Sequence, residues 1–157
     1  ELGEVLAMML APPVAGVRYL KVLENEVADV YAQVYLTAEA LRLDEDQILD
    51  TIVKERLAWS GEGWNTEVWR TSRRITGALE SVMNVGMVLA RISIQGLYER
   101  DPKSDVLNVG RLTTSFGRLL AHLHLLEEDF RLCQVRIQAR QIKKTAEMHE
   151  WEAHFKV

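Results

Sequence analysis

A chain of 157 residues that is 48% hydrophobic and 27% charged, with three prolines and nine glycines, can bury a core and lacks the composition of a disordered chain. Its formal net charge of −4 supplies no basic field for a phosphate backbone, so nucleic acid is not an expected partner. No apolar run reaches the roughly 18 to 20 residues that span a bilayer, because Arg91 interrupts the longest, Val82 to Leu97, and a soluble, cytoplasmic chain with no membrane partner is expected.

Apolar residues recur at helical spacing almost throughout, which predicts an all-α bundle. The first helix runs from about Glu1 to Leu10 and stops at Ala11-Pro12-Pro13, since proline cannot continue a helix interior. Because the chain opens on Glu1 inside this pattern and without an initiator Met, a preceding segment is expected. A second helix covers about Val17 to Leu41. Asp44 is placed to cap a third, from about Glu45 to Ala58. Ser60-Gly61-Glu62-Gly63 reads as a loop, and a fourth helix spans about Thr66 to Glu99 with a break near Gly77. Asp101-Pro102-Lys103-Ser104 reads as a turn before a last helical region, Val106 to Phe155, interrupted near Arg131. The single cysteine, Cys133, falls in that region and is expected as a small core residue in a reducing compartment.

The pattern repeats. Asp29-Val-Tyr-Ala-Gln-Val-Tyr-Leu aligns with Arg118-Leu-Leu-Ala-His-Leu-His-Leu with its apolar positions in phase, and the same register pairs Leu41-Arg42-Leu43 with Phe130-Arg131-Leu132. This predicts two tandem helical halves, residues 1–59 and 60–157, the second a degenerate copy of the first. Apolar periodicity alone is the competing explanation.

The chemistry-bearing feature is a set of acids. Glu1 and Glu4 are three apart, as are Glu26 and Asp29, so each pair shares one helix face. Both pairs sit among apolar residues, where a charge is costly unless paired or metal-bound. Four converging carboxylates call for a cation, and Mg²⁺, with Mn²⁺ as an alternative, suits hard oxygen ligands shared with phosphates. A solvated acidic face is the plainer alternative.

Glu1-Leu-Gly-Glu4, followed by Glu24-Asn-Glu-Val-Ala-Asp29-Val-Tyr-Ala-Gln-Val-Tyr-Leu-Thr-Ala-Glu-Ala-Leu-Arg-Leu-Asp44, resembles the MazG-like all-α nucleoside triphosphate pyrophosphohydrolases, which include dCTP pyrophosphatases and dimeric dUTPases. The resemblance covers Glu1 to Trp59. It implies Mg²⁺ held by Glu1, Glu4, Glu26 and Asp29, a nucleoside triphosphate substrate, and release of nucleoside monophosphate and pyrophosphate. One of those acids, or Glu24, would be the general base. It also implies a homodimer, or a single chain whose two halves stand in for one.

Departures from the family pattern are specific. The helix after the ExxD motif has Lys54 and Arg56 as candidate phosphate contacts but no Asn, and each also fits a solvated face. In the second half, Arg118 stands at the position of Asp29 and Ser115 at that of Glu26, so that half cannot hold the ion; Arg118 is either a phosphate clamp or a structural ion-pair partner. Arg118 with His124 also resembles the Arg-x5-His motif of HEPN-type ribonucleases, although histidines on an apolar helix, His122 included, are commonly satisfied by neighbours. Trp59, Trp64 and Trp69 either stack on a base or pack the halves together. His149 and His154, five apart, are misphased for zinc. A helical assembly protein that retains the fold without turnover is the alternative function.

Overall fold

The computed structural model describes residues 2–10, 17–59, 76–77, 79–81, 83–88, 90 and 102–155. Its helices are α1 (Leu2–Leu10), α2 (Val17–Ala40), α3 (Glu45–Trp59), α4 (Pro102–Phe130) and α5 (Gln134–Phe155). The described residues between 76 and 90 are also helical, and no strand occurs among the described residues. Glu1, the Pro12-Pro13 turn, the loop at Ser60 to Gly63, Trp64 and Trp69 lie outside them.

Local chemistry sets the helix ends. Asp44 caps α3 through its Oδ1, which accepts the Gln47 amide at 3.1 Å. Helix α4 starts at Pro102, where the sequence pattern predicts a turn. Proline is well suited to a first helical position because its missing N–H needs no partner and its φ is already helical. The stop near Arg131 is real, and it mirrors the stop near Arg42.

At the end of α2, Arg42 is left-handed (φ 52°), the Leu43 amide donates to the Ala38 carbonyl at 2.9 Å and the Arg42 amide to Glu39 at 3.1 Å. At the end of α4, Arg131 is left-handed (φ 51°), the Leu132 amide donates to Glu127 at 2.9 Å and the Arg131 amide to Glu128 at 3.3 Å. Both are Schellman closures, sealed by burial of the following leucine, Leu43 or Leu132. The next helices then open alike, with Ile48 donating to Asp44 and Ile137 to Cys133, each at 3.1 Å. Every pair is separated by 89 positions, the same offset at which the apolar patterns of the sequence align.

The chain divides into two compact units. The first, Glu1–Thr37 with Glu127–Val157, holds α1, most of α2, the end of α4 and α5. In it Val5, Leu23, Val27, Ala28, Val30, Ala32, Leu132 and Ile137 are buried, and Tyr19 donates from its hydroxyl to the Met8 carbonyl, tying α1 to α2. The second, Ala38–Leu126, holds the end of α2, α3, the helical residues within 76–90 and most of α4. Its buried residues include Ile48, Ile52, Val85, Val88, Leu112, Phe116, Leu119, Leu120 and Leu123. Most residues of α2 from Leu23 to Val34 are buried, as are most residues of α4 from Leu112 to Glu127. Asn25 and Arg118 are the exposed positions in these stretches, so both helices carry broad buried faces.

Candidate metal and phosphate site in the first unit

In the first unit, α2 presents acids to a row of bases on α5. Glu24 and Asp29 are buried, at 2% and 6% exposure, while Glu26 is half-buried. Arg136, Arg140 and Lys144 succeed one another at i+4 steps along α5, and so lie on one ridge of the helix. Contacts advance in step along the two helices, from Glu24 with Arg136, through Asp29 with Arg140 and Lys144, to Gln33 with Met148. The two helices therefore run parallel.

Each contact on the two buried acids is charge-assisted. Arg136 grips Glu24 through Nε (2.6 Å) and an Nη (2.8 Å), and the Cys133 amide donates to the same carboxylate at 2.8 Å. Arg140 forks onto Asp29 at 3.0 and 3.1 Å, and Lys144 Nζ adds a third bond at 3.2 Å. Paired N–H groups match the two oxygens of a carboxylate, which makes such forks strong and orienting. The hydrogen bond from Arg136 holds the Glu24 carboxyl below the usual carboxylate range despite its burial, with the Cys133 amide adding to the effect. For Asp29, burial works to raise the pKa, and the hydrogen bonds from Arg140 and Lys144 outweigh it, leaving it lowered. Tyr31, two residues on from Asp29, donates its buried hydroxyl to Glu127 at the end of α4.

The sequence-derived acids are thus only partly drawn together. Glu26 and Asp29 both act electrostatically on Arg140. Glu4 is exposed, and Glu1 lies outside the described residues. Among the described residues, no three His, Cys, Asp or Glu side chains gather as a group that could hold a metal. The carboxylates are the right kind of ligand for Mg²⁺, but both oxygens of Asp29 already accept hydrogen bonds. A cation placed at Asp29 would sit against the Arg140 guanidinium and the Lys144 ammonium.

The second unit carries a different cluster at the corresponding positions. Glu55 of α3 accepts from Trp59 Nε1 at 3.0 Å, with His122 Nε2 at 3.4 Å and Arg118 Nε at 3.8 Å from the same carboxylate. Trp59 meets the His122 ring edge-on, with centroids 4.8 Å apart. Counting 89 back from Arg118 and His122 gives Asp29 and Gln33; counting 89 on from Glu55 and Trp59 gives Lys144 and Met148. The acid–base pair of the first unit, Asp29 with Lys144, thus has a counterpart of reversed sign in Arg118 with Glu55.

The remaining candidates lie apart from these two clusters or inside helix packing. Lys54 is exposed and pairs with Asp50 one turn earlier at 2.5 Å, and Arg56 is half-buried. His122 is buried at 2% exposure, and His149 is exposed. Cys133 is half-buried in the turn before α5, a helix entry and not a core position. The α5 basic ridge is visible in the sequence only as i, i+4, i+8 spacing, and sequence reasoning missed it. Its partners lie 111 to 115 positions away.

No family model, no curated protein and no solved structure matches the chain. Among the described residues no helix is long and apolar enough to cross a membrane.

Proposed function

We propose that the first unit hydrolyses nucleoside triphosphates to nucleoside monophosphate and pyrophosphate with Mg²⁺, as MazG-like pyrophosphohydrolases do, and that the chain is a tandem duplication whose second half has lost the ligands. The observation that carries this reading is the meeting of the α2 acids with the α5 basic ridge. A metal–triphosphate complex needs both kinds of group: carboxylates for the ion and cations for the phosphate oxygens.

Glu26 and Asp29, with Glu4 and Glu1 of the preceding helix, would hold Mg²⁺, which supplies charge neutralisation on the phosphates and a more acidic bound water. Arg136, Arg140 and Lys144 orient and neutralise the polyphosphate, a role for which the sequence alone points to Lys54, Arg56 and Arg118. Glu24 would take the proton of the attacking water once Arg136 engages phosphate. The duplication is supported by the matched Schellman closures and by the sign-reversed pairs at a spacing of 89.

Hydrolysis decides it. Purified protein, given a panel of NTPs and dNTPs with Mg²⁺, should release pyrophosphate, and Glu26→Ala and Asp29→Ala should each lower the rate by at least about a hundredfold. Release from no nucleotide would leave the second reading, a helical assembly protein that retains the fold without turnover. The completeness of the ion pairs on Glu24 and Asp29 favours that alternative, because closed pairs stabilise a helix contact without any ligand.

A further inference from the structure

Helix α5 meets α2 through Arg140, Lys144 and Met148. A surface helix ordinarily turns charged and polar residues outward. The side of α5 away from α2 instead presents Val135 at 74% and Ile142 at 71% exposure, with Ala139, Ala146, His149 and Ala153 exposed beside them. These positions alternate steps of four and three, the heptad spacing that lines residues along one seam of a helix. Every second one is alanine, at 139, 146 and 153, and the larger Val135, Ile142 and His149 alternate with them. Charge along α5 is segregated as well, since all its Arg and Lys residues precede Thr145 and all its Glu residues follow it.

We propose that this face of α5 docks against the same face of a second copy of the chain, antiparallel about a twofold axis. Antiparallel pairing sets a small residue against a larger one in every layer: Ala139 against the second copy's His149, Ala146 against its Ile142 and Ala153 against its Val135. By symmetry each layer occurs twice. The same arrangement lays the basic half of each helix along the acidic half of the other. Arg136 and Glu150 flank the seam on the same side and come opposite each other across it. Arg136 is 58% exposed and commits to Glu24 two of the five N–H groups that a guanidinium carries. Lys143 falls at the axis and faces its own copy, a charge offset by Glu147 at 3.8 Å on the same helix. A parallel pair would stack alanine on alanine and bring bases onto bases. One helix pair is a small interface, so the association depends on concentration. The dimer does not rest on the hydrolase reading, because it uses neither the α2 acids nor Arg140 and Lys144.

Sedimentation equilibrium of the full chain should show a mass that rises from one chain toward two with concentration. Ile142→Glu should weaken the dimer about a hundredfold or more, because it buries a charge in the seam. Glu150→Lys, which sets like charges across from Arg136, should weaken it about tenfold. Both positions are exposed, so the two variants should melt with the wild type at concentrations where all are monomeric. Cross-linking reads the direction of the seam. Cys133→Ser/Ala139→Cys mixed with Cys133→Ser/His149→Cys should form a disulfide-linked pair under mild oxidation, and neither protein should link to itself. In the antiparallel layer positions 139 and 149 adjoin, whereas the two copies of position 139 lie about 15 Å apart, too far to bridge. A wild type that keeps the mass of one chain at every concentration overturns the proposal and leaves the face to a different occupant. A dimer unaffected by Ile142→Glu and Glu150→Lys overturns it too, by placing the contact elsewhere. Self-linking of the Ala139→Cys protein overturns the antiparallel seam in favour of a parallel one.

Discussion

His122 sits in the second unit with its Nε2 toward Glu55, its ring edge-on to Trp59 and its Nδ1 without a hydrogen-bond partner. Burial lowers its pKa, and this outweighs the pull of Glu55 and Glu80 toward protonation, while Arg118 adds to the lowering. The unfolded chain therefore binds the proton more readily, near the ordinary value of 6.5. Stability is full above about pH 6.5 and falls as the pH drops from there toward the folded-state pKa. Urea midpoints measured across that range should decline in the wild type and flatten in His122→Gln, which installs the residue found at the matching position, Gln33. Gly77 is fixed by the same ring, because a Cβ there would lie 2.4 Å from the imidazole. Gly117 is fixed by α3, since its Cβ would lie 2.6 Å from Thr51 Cβ and 3.0 Å from the Ile48 carbonyl. Gly117→Ala should cost about 1–3 kcal/mol by overpacking, more than the roughly 1 kcal/mol that alanine gains in a helix, and thermal melts would register the loss.

Helices end here by two devices, and the sequence displays them unequally. Asp44 announces the start of α3, and the apolar phase around Arg42 and Arg131 announces the two stops, because capping and periodicity are local. Pro102 is ambiguous in the sequence because proline both ends and begins helices, and only the residues after it decide. The acid face of α2 is legible from the spacing of Glu26 and Asp29. Its cations are not, since nothing local says that a ridge on α5 will lie along a helix more than a hundred residues earlier. The left-handed arginines carry a testable cost. Arg42→Gly and Arg131→Gly should each stabilise the protein by about 0.5–1 kcal/mol, as glycine enters that region without steric penalty. The two gains should add in denaturant titrations of the double variant, because each closure is built within its own unit. A loss of stability in either would show that the arginine side chain outweighs its backbone strain.

At the scale of the whole chain, the two units share a helical grammar and differ in charge. Arg118 stands where the first unit has Asp29, and Ser115 where it has Glu26. On the proposed hydrolase reading, equilibrium dialysis should find one Mn²⁺–triphosphate site per chain; none would count against that reading, and two would show that the second unit keeps a site by other ligands. The 89-residue offset is legible in apolar phase, but the sign reversal of the pairs emerges only when Glu55 and Lys144 are seen against their partners. The entry to α5 has a consequence for how the chain assembles. Asp44 caps α3 from within its own turn, whereas at α5 the amide of Cys133 is met by Glu24, 109 residues away, held there by Arg136 at the third helical position. In a capping box a glutamate at that third position would turn back onto this amide; here an acid from α2 does so instead. The cap of α3 is local, whereas the entry to α5 is completed only when α2 lies against it. Closing so long a loop is the slow kind of step in folding. Glu24→Ala should accordingly speed unfolding, measured in denaturant jumps, because it removes the acceptor of the Cys133 amide and the partner of Arg136.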